Sequence, residues 1–349
     1  MEINTILKMG GKKYMQTINN ELEKYIFEDL DAEYVLDTDG VKYNLDNDEE
    51  KNKKYLGTYF PRTFVESYHI YKQLFENAFV KEYFYNKSAI SILAIGSGTG
   101  GDLLGLLQVL NECYQDKQIV IYSFDGNENA LAIQENLIEN FHQFMSCNYN
   151  KIRVKTYRVA FTSVKNIADS LEQCHIPAVD IMQSFKMCNE IYNRENEKNI
   201  YYEFIELAEQ CLNRNGILVL EDITNRNDDG RYNSVVMSDQ LRRYFSENPQ
   251  STLKYIIPIC CAKWYNRCTW RNCLSIVEYK VSHRWVVNEK TKVTYRVIIK
   301  NPLGLDIYNA IGEGDCYQLA PKTYCTKDDY LYNQTEAPSN DVKDPYRIS

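Results

Sequence analysis

The chain has 349 residues, 44% of them apolar and 25% charged, enough for a sizeable core in one large domain with additions or in two smaller ones. No run approaches the roughly 18 apolar residues of a membrane span, Met1 to Lys13 lacks the apolar core of a signal peptide, and 11 cysteines, an odd number, read as reduced and buried side chains, so a cytoplasmic protein without a membrane partner is expected. The net charge of −8 argues against a general nucleic-acid binder.

Within residues 1–30 a helix is expected, with Ile18, Leu22, Tyr25 and Ile26 on one face and Glu21, Glu23 and Lys24 outward. Residues 29–54 are rich in Asp, Glu, Asn and Lys and read as a solvated linker, or as a lid folding over a ligand. Residues 1–60 are therefore taken as a helical and acidic N-terminal region. Pro61 suits the first turn of a second helix, on which Phe60, Phe64, Tyr68, Tyr71 and Phe75 recur at intervals of three and four.

From there the chain alternates. Strands are expected at Ile90 to Ile95, Ile119 to Phe124, Ile152 to Val159, Val179 to Phe185 and Ile217 to Leu220. Helices follow them at Gly101 to Tyr114, Asn129 to Phe144, Val164 to Leu171, Lys198 to Leu212 and Val235 to Phe245. Such alternation implies an α/β fold with a doubly wound, parallel sheet, whose ligands sit at the carboxyl ends of the strands. Beyond Tyr255 strands continue without long helices (Tyr255 to Ile259, Leu274 to Val281, Val293 to Ile299), giving the sheet an antiparallel finish. The sheet domain is assigned to 61–300, and 301–349 to a weakly ordered C-terminal tail.

The turn after the first strand, Gly96-Ser97-Gly98-Thr99-Gly100-Gly101-Asp102, opens the helix carrying Leu103, Leu104, Leu106 and Leu107. Glycines there open backbone angles closed to other residues and let the chain approach a ligand at the positive end of a helix, although tight strand-to-helix turns need glycine in folds that bind nothing. The second strand ends at Asp125-Gly126-Asn127. A carboxylate at that place can accept both hydroxyls of a ribose, or cap the next helix.

With Phe124 to Leu131 and Asn215-Gly216-Ile217-Leu218-Val219-Leu220-Glu221-Asp222, the glycine turn resembles the class I S-adenosylmethionine-dependent methyltransferases over about Ile90 to Val281. The resemblance implies a mostly parallel seven-stranded sheet with antiparallel C-terminal strands. It implies S-adenosylmethionine as cofactor, with Gly96, Ser97, Gly98, Thr99, Gly100 and Asp102 around its methionine part and Asp125, Gly126 and Asn127 at the ribose. Phe161 and Thr162 would lie near the adenine, and the stretch from Ser184 and Phe185 to Glu190 would border cofactor and substrate. Where the family carries an acid two positions before the first glycine this chain has Ala94, for which Asp102 is a candidate substitute. Glu190 and Asp222 are candidate bases, each also readable as structural. The signatures of base amino-group methylation (Asn-Pro-Pro-Tyr) and cytosine carbon-5 methylation (Pro-Cys) are absent after the fourth strand.

Residues 254–300 hold ten Lys and Arg against two acids, and all three tryptophans. Cations interleaved with Trp264, Tyr265, Trp270 and Trp285 suit RNA binding by stacking and phosphate pairing, or an antiparallel hairpin with a solvated basic face. Cys260, Cys261, Cys268 and Cys273 fall within fourteen residues, and could hold zinc or an iron–sulfur cluster, or simply be buried thiols. That segment, Pro61-Arg62 and Asn189-Glu190-Ile191 are distantly similar to mitochondrial small-ribosomal-subunit methyltransferase-like proteins. The expected function is thus methyl transfer to an unidentified acceptor, with RNA first and a small molecule or protein next. The alternative, motivated by Ala94 and the possible metal loop, is a non-catalytic binding or ribosome-assembly factor.

Overall fold

The computed structural model describes residues 15–36, 44–145, 151–258 and 276–311. Five parallel strands carry the chain's apolar runs: β2 (Ala89–Ile95), β3 (Gln118–Asp125), β4 (Ile152–Arg158), β5 (Val179–Phe185) and β6 (Leu212–Ile223). Three further strands are β7 (Leu253–Ile257), β8 (Val277–His283) and β9 (Val286–Lys300), and a short β1 (Met15–Thr17) precedes them all. Side by side, seven of them run β4-β3-β2-β5-β6-β9-β7, with β9 antiparallel to both β6 and β7. This is the doubly wound, mostly parallel sheet that the sequence leads one to expect, with its antiparallel finish. Its burial follows position: every residue of central β5 is buried, whereas edge strand β4 is not buried at any.

Among the described residues the sheet has nine strands, two beyond the expected seven. Besides β6, strand β9 is long enough to serve two further partners: residues Val297–Lys300 pair with β7, and Val286–Val293 with β8. Strand β1 then adds to β8 in parallel. Three residues held by backbone hydrogen bonds leave no periodic signal, which is why β1 is not legible in the sequence.

Helices cover both faces, and side chains alternate between the two cores they create: Ile90, Ile92 and Ala94 of β2 enter one, Leu93 and Ile95 the other. The first core is closed by α2 (Glu49–Glu76), α3 (Ala78–Tyr85) and α4 (Gly101–Cys113). The second lies under α7 (Val164–Gln173), α8 (Cys188–Arg194), α9 (Ile200–Cys211) and α10 (Asn233–Glu247). The remaining helices are α1 (Asn20–Lys24), extended by a π-helical stretch Tyr25–Asp29, then α5 (Glu128–Glu139), α6 (Phe141–Phe144) and α11 (Leu303–Ala310).

Three expectations change. Helix α2 begins at Glu49, not at Pro61; Asp48 caps it by accepting from Lys51 N at 2.9 Å, and Pro61 sits in its interior. Charged first turns hide this start, because their apolar face begins only at Leu56. Helix α8 was not foreseen, being two turns long. Residues 303–310 are helical, because Leu303 and Ile307 bury one face and Asn215 Oδ1 accepts from Leu303 N at 2.8 Å. Residues 312–349 lie outside the described residues.

Helices α2 and α4 touch through glycine. A Cβ added at Gly105 would stand 2.5 Å from Phe64 O and 2.9 Å from Ser67 Cβ, and Ser67 Oγ donates to Asp102 O at 2.5 Å. Backbone on one side leaves nothing to yield. Gly105→Val is therefore expected to lower unfolding stability by about 3 kcal/mol in urea titration. Gly230→Ala, at a left-handed turn with nothing within 4 Å, is expected to cost only about 1 kcal/mol.

Candidate active site

The chain crosses from β4 back to β5, which places β2 at the switch in strand order and opens a crevice at its carboxyl end. The glycine turn forms the floor of that crevice. Gly96 and Gly98 both have left-handed backbones (φ 71° and 52°), and a Cβ on Gly96 would lie 2.5 Å from Met187 Cβ. Gly96 N donates to Phe124 O at 2.8 Å, stitching the turn to β3. Behind it Ser97 Oγ lies 2.6 Å from Ser123 Oγ and accepts from Gln134 Nε2 at 2.8 Å.

Asp125 ends β3, 5% exposed. Its Oδ2 accepts from Gly98 N at 2.8 Å, and its Oδ1 from Asn127 N and from Asn44 Nδ2, both at 2.8 Å. Burial pushes its pKa above the ordinary carboxylate value, while the N–H groups of Asn127, Gly98 and Gly126 and the Asn44 amide pull the other way. Asn127 also binds the incoming N-terminal segment, donating through Nδ2 to Asn44 O at 2.5 Å and Asn47 O at 2.9 Å. Its Oδ1 accepts from Ala130 N at 3.1 Å, capping α5.

Of the residues expected from sequence, Gly96, Gly98, Asp125, Gly126, Phe161, Phe185 and Glu190 line the crevice. Ser97, Thr99, Asp102, Asn127, Ser184 and Asp222 are buried behind that lining, Gly100 ends the turn as the N-cap of α4, and Thr162 is exposed beside it. Ala94 stands in register with Gln183 of β5, whose Nε2 donates to Asp102 Oδ2 at 2.7 Å and whose Oε1 accepts from Tyr71 OH at 2.6 Å. The acid missing at Ala94 is thus matched by a buried one at Asp102, directed at Gln183. The two candidate bases separate: Glu190 is at the crevice on α8, and Asp222 lies beneath that helix. Asp222 Oδ2 accepts from Tyr201 OH at 2.7 Å and Asn189 N at 3.0 Å, and its Oδ1 from Ile223 N at 2.8 Å.

Lys186 and Met187, within the stretch expected to border cofactor and substrate, also line the crevice, as do Asn44, Leu45, Tyr55 and Arg194, which were not singled out by sequence. Lys186 has a left-handed backbone (φ 61°) and pairs with the buried Glu66 carboxylate, with Glu221 Oε1 at 3.7 Å and Thr63 Oγ1 at 3.3 Å. Burial disfavours its ammonium, but Glu66 and Glu221 outweigh that and raise its pKa. Glu221 is pushed well above the usual range by burial and by Glu66.

Cys260, Cys261, Cys268 and Cys273, with Trp264 and Trp270, lie outside the described residues; among the described residues no three His, Cys, Asp or Glu gather to hold a metal ion. Most described cations of 276–300 serve the fold. Arg284 pairs with Glu23 and Glu28, Lys290 and Lys292 with Glu278, Arg296 is buried, and Lys300 donates to two backbone carbonyls. Trp285 is 62% exposed.

Burial raises Asp102 and Asp222 from 3.8 to about 7. Because the folded state holds each proton more tightly than the unfolded chain, the penalty is absent below about pH 4, grows with pH and is complete above about pH 7, on the order of 4 kcal/mol per group. Urea midpoints are expected to fall between pH 4 and 7, and Asp102→Asn to flatten that fall; an unchanged slope contradicts the assignment.

No protein-family model matches the sequence, and no curated protein matches it. Solved structures that match include TehB from Haemophilus influenzae (15% identity, TM-score 0.36, 64% of this chain and 61% of that one). A second is the plantazolicin methyltransferase BpumL in complex with SAH (13%, 0.39, 81% and 95%). A third is TrmN from Thermus thermophilus (13%, 0.34, 67% and 53%). The chain thus spans less than two thirds of the TehB and TrmN chains.

Proposed function

We propose that the chain is a class I S-adenosylmethionine-dependent methyltransferase. The observation that carries this reading is the Asp125 carboxylate, which ends β3 at the switch point and is clamped to the glycine turn by Gly98 N at 2.8 Å. A buried carboxylate there is chemistry for a sugar hydroxyl, and the left-handed turn lets the backbone approach the rest of the ligand. Phe161 supplies an apolar wall for an adenine. The residues present fit the cofactor.

That cofactor supplies an activated methyl group when bound. What remains for the chain is to hold an acceptor in line with it, and orientation alone is worth effective molarities of about 10⁵ M or more in well-built sites. Glu190, on the crevice wall, is placed to take a proton from an acceptor that carries one. Asp222 instead holds the start of α8 through Asn189 N, which makes it a positioning residue for Glu190.

RNA is the acceptor class favoured by the basic, tryptophan-rich stretch of 254–300, and Lys263, Arg267, Arg271, Trp264 and Trp270 carry that part of the proposal. A small molecule or protein acceptor is next. The second reading, a non-catalytic binding or assembly factor, is favoured by Ala94.

Calorimetry of the full chain with S-adenosylmethionine tests the first reading. Binding is expected, weakened by at least about tenfold in Asp125→Ala; no binding to the wild type sinks it, and binding without turnover on any acceptor supports the second. For RNA, salt-dependent binding should weaken when Lys263, Arg267 and Arg271 are changed together to Gln. Unchanged affinity removes that stretch from the interface.

A further inference from the structure

Asp125 has little capacity left. A carboxylate oxygen offers two lone pairs, and Oδ1 already accepts from both Asn127 N and Asn44 Nδ2, while Oδ2 accepts from Gly98 N. At most one further donor can be taken. A ribose presents two adjacent hydroxyls, so the second needs an acceptor close beside the first.

Asn44 meets that need. It is 7% exposed and lies on the crevice wall, in the single turn Asn44–Asp46 that leads into α2. Its amide can point only one way, because its nitrogen must face the carboxylate of Asp125 at 2.8 Å. The side-chain oxygen is thereby turned away from Asp125, and it is buried with no hydrogen-bond partner among the described residues. Leaving such an acceptor unmatched is costly unless a ligand matches it. The backbone of Asn44 is independently fixed, since its carbonyl accepts from Asn127 Nδ2 at 2.5 Å. The turn also sits directly over the glycine floor: an added Cβ at Gly98 would lie 3.7 Å from Asn44 Nδ2, and one at Gly126 would lie 2.1 Å from Leu45 Cδ2.

We propose that Asn44 is a ligand-binding residue whose side-chain carbonyl accepts one hydroxyl of the 2′,3′-diol of a ribonucleoside while Asp125 accepts the other. The N-terminal segment is on this account half of the sugar site. The inference rests on the methyltransferase reading for the ligand's identity but only on a ribose diol for its chemistry, which lets the two be tested apart.

The experiment is calorimetry of the full chain with S-adenosylhomocysteine, its 2′-deoxy and 3′-deoxy analogues, and adenosine, using wild type, Asn44→Ala and the volume-matched Asn44→Leu. Wild type is expected to bind each deoxy analogue about tenfold or more weakly than S-adenosylhomocysteine. Both variants should bind S-adenosylhomocysteine about tenfold more weakly and lose the discrimination against one of the two analogues. If wild type is indifferent to the removal of either hydroxyl, the proposal falls whether or not the variants fold. Tighter binding by the variants also overturns it, because Asn44 would then be a plug. Binding of adenosine, sensitive to Asn44, without binding of S-adenosylhomocysteine keeps this inference and sinks the methyltransferase reading. Binding of neither overturns both.

Discussion

A carboxylate that is almost wholly withdrawn from water must be matched by donors, and Asp125 is matched by three segments far apart in the chain. Gly98 comes from the glycine turn, Asn127 from the start of α5, and Asn44 from the entry to α2. Each donor has its own reason to be where it is. The turn needs left-handed backbone at Gly96 and Gly98, α5 needs Asn127 as its cap, and the N-terminal segment is held by Asn127 Nδ2 and by Asn52, whose Nδ2 donates to Asn127 Oδ1 at 3.2 Å. The crevice is consequently preformed, because opening it would strand a buried charge.

Behind the crevice the interior is acidic. Glu66, Asp102 and Glu221 are buried near the carboxyl ends of the strands, and Asp222 is buried beneath α8. Lys186 is the cation that reaches Glu66 and Glu221. Burial nonetheless raises the carboxyl pKa of Glu221, and likewise those of Asp102 and Asp222. This divides labour between wall and foundation: Asp125 and Glu190 are on the crevice, while the raised acids hold Gln183, Tyr71, Tyr201 and the start of α8 in place. It also accounts for Ala94, whose polar substitute is contributed from the neighbouring strand and helix.

Legibility followed the range of the forces involved. Apolar runs reveal β2, β5 and the second half of β6 because burying a strand on both faces demands continuous apolar residues, whereas edge strand β4 shows only as an alternation. The glycine turn and Asp125 are legible because both are local, a backbone angle and a strand end. The first turns of α2 are not, because Asp48 and charged side chains build them without an apolar face. Nor is the fate of the basic stretch: a net positive composition says nothing of Arg284 being taken up by Glu23 and Glu28, or Arg296 by the core.

By itself, then, the sequence determined the strand-and-helix alternation, the antiparallel finish and the place of the carboxylate Asp125 at the end of β3, since each depends on residues within a few positions of one another. Tertiary structure decided that Asn44, from a stretch that reads as linker or lid, and the nearby Tyr55 wall the crevice. It also decided that Glu190 faces the crevice while Asp222 is buried beneath α8, and that β9 pairs with three strands. These depend on contacts between segments tens to hundreds of residues apart, where pairing is set by hydrogen-bond saturation and close packing, and neither leaves a period in the chain.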